Sequence, residues 1–187
     1  MMPKHGRLYV FFLMLFVSGQ MSAKEPPIYL QYANEIIRSF SNEIEKEYGF
    51  TCIGSGGGMS HDVEEISVQF IAYRRASIEK ARELEVKATE KLLRMINDHE
   101  KIRPFLREYP FKTYRVEVSI AFNKVDNSAF TDGSVAYVSK IRDKIFYYKA
   151  TLVKEDLVKL YEEPYEEAVK IVKENPLKKD SPVQHPI

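Results

Sequence analysis

The sequence contains very little cysteine, no tryptophan and almost no net charge. Its 187 residues include one cysteine, Cys52, which excludes an internal disulfide framework and any metal site built from several cysteines. The 28 lysines and arginines nearly balance the 27 acidic residues, whereas a dedicated nucleic-acid binder usually carries a strongly basic surface. We therefore expect no nucleic-acid partner. The 44% of apolar residues is enough to build the core of one domain.

The first 23 residues are organised like a secretory signal peptide. Lys4 and Arg7 precede an unbroken apolar run at residues 8–17, and small residues end the segment at Ala23. A helix that spans a bilayer needs about 20 apolar residues, so this run is too short for a stable span. We expect cleavage after Ala23, and the alternative is an uncleaved signal anchor.

The mature chain, residues 24–187, is expected to be a bacterial protein of the periplasm or the extracellular space. Cleavage removes Lys4 and Arg7 but no acidic residue, so the formal charge changes from +1 to −1. The chain has no Asn-x-Ser/Thr glycosylation acceptor and a single thiol, whereas secreted eukaryotic domains of this size often carry disulfides and glycans.

Hydrophobic periodicity predicts three amphipathic helices in one domain, residues 24–175. The apolar stripe of residues 29–48 has helical spacing, and Gly49 follows it as a C-terminal cap. A long helix is expected to begin after the cap residue Ser77 and to be ended by Pro104. A final helix is expected over residues 157–172, with a kink or restart at Pro164.

Alternating apolar and polar residues predict the strands. Strands are expected at residues 50–53, 66–73 and 114–122, and a hairpin turning at Arg142 and Asp143 should join residues 135–141 to 144–150. The order α-β-β-α-β-β-β-α predicts a two-layer α+β fold, with a mostly antiparallel sheet covered by the helices. Residues 176–187, rich in proline and lysine, are predicted to be a disordered tail.

The glycine-rich segment from Gly54 to Asp62 is the first candidate site. Gly54 to Gly58 lack the pattern of a phosphate-binding loop, because a strand and not a helix is expected to follow. The neighbouring Ser60, His61 and Asp62 include all three residue types of a catalytic triad. Adjacent side chains of an extended segment point in opposite directions, so only His61 and Asp62 are kept as candidate catalytic residues.

Residues 103–111 form the second candidate site, a connector that combines aromatic residues, prolines and arginines. Arginine and tyrosine are enriched in the hot spots of protein interfaces, so Arg103, Arg107 and Tyr109 are candidate partner-binding residues. The simpler interpretation is a structural link between a helix and a strand. Cys52 has apolar neighbours and is expected to be a buried structural thiol.

Two tyrosines lie in acidic surroundings that resemble the substrates of tyrosine kinases. Tyr161 and Tyr165 each precede two glutamates, and Tyr29 follows Glu25 in a similar context. Phosphorylation there could recruit pockets that contain arginine. The simpler interpretation is a helix with stacked aromatic residues and a solvated acidic face.

Three segments together resemble an exported family from intracellular bacteria. They are FTCIGSGGGM at residues 50–59, ARELEVKATEKLLRMIN at residues 81–97 and IRPFLREYPF at residues 102–111. The resemblance covers roughly residues 29–168 and implies bacterial origin and export. The members of that family have no assigned activity, so it implies no site residue.

The favoured hypothesis is an exported, non-enzymatic binding or structural module with a protein or lipid partner. We expect no cofactor and no bound metal, because no motif in the sequence supplies a ligand set. One alternative is an enzyme with an unrecognised site around residues 54–62. The other is a secreted effector whose tyrosines are phosphorylated.

The signal-peptide hypothesis predicts the N-terminus of the natural product. The protein purified from its own bacterium should begin at Lys24, because the small residues before it suit a signal peptidase. N-terminal sequencing and intact mass measure this directly. A product that begins at Met1 and stays in the membrane fraction contradicts it.

Overall fold

The computed structural model describes residues 25–152 and 156–175. This part of the chain forms three α-helices, six β-strands and two single-turn 3-10 helices, at Arg103–Phe105 and Thr113–Arg115. The helices are α1 (Ile28–Tyr48), α2 (Ile78–Asp98) and α3 (Tyr165–Glu174). The strands are β1 (Thr51–Gly56), β2 (Ile66–Ala72), β3 (Val116–Phe122), β4 (Tyr137–Ile141), β5 (Lys144–Ala150) and β6 (Leu157–Pro164). The expected signal peptide and tail lie outside the described residues.

The six strands form one sheet in the order β1-β2-β3-β4-β5-β6. Neighbouring strands are antiparallel except β2 and β3, which run parallel because α2 crosses between them. Helix α1 contacts β1, α2 contacts β3 and β4, and α3 contacts β5 and β6, while α2 also touches both other helices. The helices therefore form one layer over the sheet, and the predicted α+β class is confirmed.

Helix α1 agrees with the prediction. Its apolar stripe is buried, and Phe40 meets Phe70 of β2 edge-on with ring centres 5.6 Å apart. The helix ends at Gly49, whose φ of 69° lies in the left-handed region and whose N–H donates to Glu45 O at 2.8 Å. Glycine adopts this conformation without the steric penalty of a Cβ, which explains where the helix stops.

Helix α2 begins as predicted but ends earlier than expected. The Ser77 hydroxyl accepts a hydrogen bond from the Lys80 N–H at 3.2 Å, as an N-cap should. The helix ends at Asp98, and Pro104 lies in the following 3-10 turn. The side chain of Asn97 explains the early end, because it bonds both the N–H and the carbonyl of Phe111 and so ties the helix to the connector.

The predicted final helix over residues 157–172 is wrong in its first half. Leu157–Pro164 is strand β6, which pairs antiparallel with β5, and α3 begins only at Tyr165. Pro164 has no N–H to donate and marks the change from strand to helix, so the predicted kink or restart within a helix is instead the start of α3. The described part of the chain thus has one more strand than predicted.

Cys52 is exposed, which corrects the prediction of a buried thiol. It lies on β1, which is the edge strand of the sheet, and a register shift falls between Cys52 and Gly54. Phe50 is the residue of this segment that enters the core, at 1% exposure. The glycine-rich run is therefore partly an irregular strand, and the loop proper begins after Gly56.

The loop that follows β1 requires a glycine at position 57. Gly57 has a φ of 148°, and a Cβ there would lie 1.9 Å from the carbonyl oxygen of Glu65. We expect Gly57→Ala to lower the free energy of unfolding by on the order of 2 kcal/mol or more, because it adds backbone strain and a clash. Gly56→Ala is the control, since its Cβ would meet only Ser67 Oγ at 3.5 Å. Equal unfolding midpoints in urea for both variants would contradict this.

Candidate functional site

The two candidate segments of the sequence lie side by side in the structure. The Val63 N–H donates to the carbonyl of Phe105 at 2.8 Å, and the Arg107 N–H donates to the carbonyl of Val63 at 3.0 Å. Val63 is fully buried and forms a parallel bridge with Leu106. The loop before β2 is thereby attached to the connector before β3.

Arg107 and Asp62, proposed separately from the sequence, form a two-pronged ion pair. The Arg107 Nε donates to Asp62 Oδ2 at 2.6 Å, and its Nη2 donates to Asp62 Oδ1 at 2.9 Å. The same Nη2 also reaches Glu64 Oε2 at 3.2 Å. The hydrogen bonds from Arg107 lower the pKa of Asp62 below its usual value. Because both partners are partly exposed, this pair orients the side chains more than it stabilises the fold.

Arg115 continues this line of charges towards β3. Its Nε donates to Glu108 Oε1 at 2.6 Å, its Nη1 donates to Glu64 O at 3.1 Å, and the Tyr114 hydroxyl also donates to Glu108. These hydrogen bonds, with that of Arg115 the largest, lower the pKa of Glu108. We call the following group the charged ridge: Asp62, Glu64, Arg107, Glu108, Tyr114 and Arg115.

An exposed aromatic side chain lies on the connector beside the charged ridge. Tyr109 is 55% exposed, and the guanidinium carbon of Arg103 lies 5.2 Å from the centre of its ring. The Arg103 Nε also donates to the carbonyl of Asn97 at 3.2 Å, which holds the guanidinium against the end of α2. Arg103, Arg107 and Tyr109 are thus all held in defined positions on one surface.

The side chains of His61 and Asp62 are hydrogen-bonded to different partners. The Oγ of Ser60 and the Nδ1 of His61 are 3.0 Å apart, while both oxygens of Asp62 accept hydrogen bonds from Arg107. Ser60 and His61 are exposed to solvent. Asp62 is therefore the ion-pair partner of Arg107. Its carboxylate does not orient the ring of His61, as the acid of a catalytic triad would.

A second cluster of polar side chains, which the sequence analysis missed, is buried between the helices and the sheet. Its members come from α2, β4, β5, β6 and α3. This buried cluster consists of Arg82, Glu85, Thr89, Lys140, Tyr147, Glu163 and Tyr165. Lys140 is fully buried, and its Nζ donates to the carbonyls of Thr113, Val116 and Arg142 at 2.5, 2.7 and 2.7 Å. Three backbone acceptors satisfy the three protons of its ammonium group. Burial lowers the pKa of Lys140 to about 8.

The two carboxyl groups of the buried cluster differ in their hydrogen bonding. Glu163 Oε1 accepts from the Arg82 Nε at 2.8 Å and from the Tyr147 hydroxyl. Glu85 is fully buried, and no hydrogen bond of normal geometry reaches either of its oxygens among the described residues, although the Thr89 hydroxyl and the Lys140 backbone lie near enough to lower its pKa. Burial raises the pKa of Glu85 well above its usual value, and the Lys140 ammonium offsets only part of that effect. Burial therefore favours the protonated form of Glu85 beside the Lys140 ammonium.

Comparison of the chain with protein-family models, with curated proteins and with solved structures finds no match. Of the helices in residues 25–152 and 156–175, none combines the length and the apolar character needed to cross a bilayer.

The state of Glu85 predicts how stability depends on pH. A carboxyl whose pKa is raised by folding contributes stability at low pH and loses it as the pH rises through the folded-state pKa. Replacement of Glu85 by glutamine removes the titratable proton of its carboxyl group. We therefore expect the unfolding free energy of the wild type, minus that of Glu85→Gln, to fall as the pH rises above 4.5, the ordinary pKa of this group. The limiting slope is about 1.4 kcal/mol per pH unit, the value for one proton.

Urea denaturation between about pH 3 and pH 8 measures this difference. Glu79→Gln is the matched control on the same helix, because a hydrogen bond with Ser77 lowers the pKa of Glu79. Its difference from the wild type should change with the opposite sign, rising as the pH approaches 4.5 from below. Stability curves of Glu85→Gln and wild type that stay parallel would show that Glu85 is ionised in the folded state.

Proposed function

We propose that this chain is an exported bacterial binding module that recognises a protein partner through the connector before β3. The observation that carries the proposal is the exposed ring of Tyr109, stacked with Arg103 and placed beside the charged ridge. Tyrosine and arginine dominate the binding energy of many protein interfaces. No catalytic step is needed for this role, and no cofactor takes part in it.

The side chains of this surface are held before any partner arrives. Ion pairs fix Arg107 and Arg115, and the contact between Arg103 and Tyr109 fixes the aromatic ring. Binding normally immobilises flexible side chains at a cost of about 1 kcal/mol each. A surface that is already ordered loses less of this free energy, which supports a role in recognition.

The distribution of charge favours a protein over a polyanion. The charged ridge alternates acids and bases, with Asp62, Glu64 and Glu108 facing Arg107 and Arg115. Nucleic acids and anionic lipid surfaces select for uncompensated lysine and arginine. Alternating charges instead match a mixed polar surface, where they set the register of the complex.

Two other functions rest on weaker observations. An enzyme around residues 54–62 is favoured by the solvent-exposed pair of Ser60 and His61, and it predicts a loss of function when His61 and Asp62 are replaced together. A tyrosine-phosphorylated effector now depends on Tyr161, which is 42% exposed, because Tyr165 and Tyr29 are both 6% exposed. Confinement of the mature protein to the bacterial periplasm would argue against the effector.

The binding proposal predicts that Tyr109→Ala strongly reduces partner capture. We expect the tagged mature chain, residues 24–187, to co-purify a protein from the envelope of its own bacterium. The variant should recover at least about tenfold less of it, since a buried hot-spot tyrosine contributes 2 kcal/mol or more. Quantitative mass spectrometry of the eluates measures the ratio.

Tyr73→Ala is the control for this experiment. Tyr73 is 46% exposed and follows the opposite end of β2 from Glu64, so its loss should leave capture unchanged. A protein that both variants retain, or that both lose, contradicts the proposed surface. If vesicles of envelope lipid bind the wild type but not Tyr109→Ala, the partner is lipid and the proposal of a protein partner is wrong.

A further inference from the structure

The edge of the sheet at β1 lacks the protection that the other edge has. Natural edge strands are guarded against pairing by charges, by proline, by bulges, by shortness or by a covering element. Strand β6 carries Lys159, Glu162 and Glu163 and ends at Pro164, whereas β1, with the sequence TCIGSG, carries no charged residue and pairs only with β2 in the described part of the chain. Its one irregularity lies between Cys52 and Gly54, near the start of the strand.

A groove of about 880 Å³ runs between α1 and this edge. On the helix side its lining includes a stripe with helical spacing along α1, formed by Leu30, Asn34, Ile37 and Ser41, and larger polar side chains of the same helix flank this stripe. Strand β1 contributes Cys52 and Ser55. The Ser41 hydroxyl is buried there and has no hydrogen-bond partner among the described residues. Apolar and small polar groups therefore border a strand edge that can accept another strand.

The charges on the groove lining are self-complementary, because two copies related by a two-fold axis would place opposite charges next to each other. Its lining contains one acid, Glu35, and one base, Arg38, and the two lie about one helical turn apart on α1. Within its own chain the Glu35 carboxylate accepts a hydrogen bond from Gln31 Nε2 at 3.2 Å and lies 3.9 Å from His99 Nε2. When two copies of such a helix pack antiparallel, Glu35 of one meets Arg38 of the other, and the reverse contact forms by symmetry. A second copy of the same chain therefore supplies the opposite charge for each of these side chains without a specialised partner.

We propose that β1 pairs antiparallel with β1 of a second copy, and that α1 then packs against α1 of that copy. The two-fold axis stands perpendicular to the sheet, so both helical layers stay on one side and the six strands become part of one twelve-stranded sheet. Main-chain hydrogen bonds join the edges, and the two stripes that begin at Leu30 fill the groove from both sides. This inference is independent of the connector surface and of its partner.

A charge placed on the edge tests the strand pairing. Ile53 is 58% exposed on β1, so Ile53→Lys should leave the monomer folded while placing two lysines at the shared edge. We expect the mature wild-type chain to show twice its monomer mass in sedimentation and light scattering. The variant should weaken dimerisation by about tenfold or more. Leu157→Lys, at a site 50% exposed on β6, is the matched control and should remain dimeric.

A charge exchange tests the helix contact. Arg38→Glu places acid against acid across the two-fold axis and should also weaken the dimer about tenfold. The double variant Glu35→Arg with Arg38→Glu restores opposite charges and should recover wild-type association. A loss of folding cannot produce this recovery, so the rescue separates an interface effect from a structural one.

Three results would overturn the proposal. The first is a wild-type chain that stays monomeric up to about 100 µM, well above the range of specific association. The second is a dimer that Ile53→Lys and Leu157→Lys weaken equally. The third is a monomer whose β1 amides resist hydrogen exchange until residues 176–187 are removed, which would make the chain's own tail the occupant of the groove.

Discussion

The parallel pairing of β2 with β3 is the constraint on which the candidate site depends. Ile66 pairs with Val116, so both strands begin at the same end of the sheet, and the segments that precede them must meet there. An antiparallel pairing would have sent the loop that carries Asp62 and the connector that carries Arg107 to opposite ends. The crossover through α2 therefore converts two distant stretches of sequence into one surface, which the bridge between Val63 and Leu106 then fixes.

The same end of the sheet is supported from within by Lys140. Its ammonium group binds the carbonyls of Thr113, the first residue of the 3-10 turn leading into β3, and of Val116, the residue that follows this turn. On the outer side of that turn, Arg115 binds Glu108. The turn is thus held by two cations, Lys140 in the core and Arg115 on the charged ridge. A buried cation is tolerated because three backbone oxygens replace its water, and burial raises the pKa of the nearby Glu85, which disfavours a second buried charge.

Local sequence signals predicted most of the fold, and non-local pairing explains what they missed. The spacing of Leu157 and Tyr161 fits a helix as well as a strand, and only the neighbouring β5 makes that segment a strand. Lys140 lies two residues from Val138 on β4 and shares its buried face, but no signal in the sequence singled it out, because a charged residue is normally assigned to solvent. Composition identified Arg107 as a candidate, whereas its acidic partners depend on the parallel pair and could not be found from spacing alone.

The connector surface and the β1 edge are compatible because they occupy different parts of the sheet. The charged ridge lies beyond the end of the strands, whereas the free edge runs along the side of the sheet. In an antiparallel pair of β1 strands, the two C-terminal ends point in opposite directions, and each leads through Gly56 to the loop of Asp62. The two charged ridges of a dimer therefore face away from each other and leave both copies of Tyr109 accessible. Such a dimer would present two identical sites, so a partner with repeated epitopes would be bound with avidity and not merely with the affinity of one ridge.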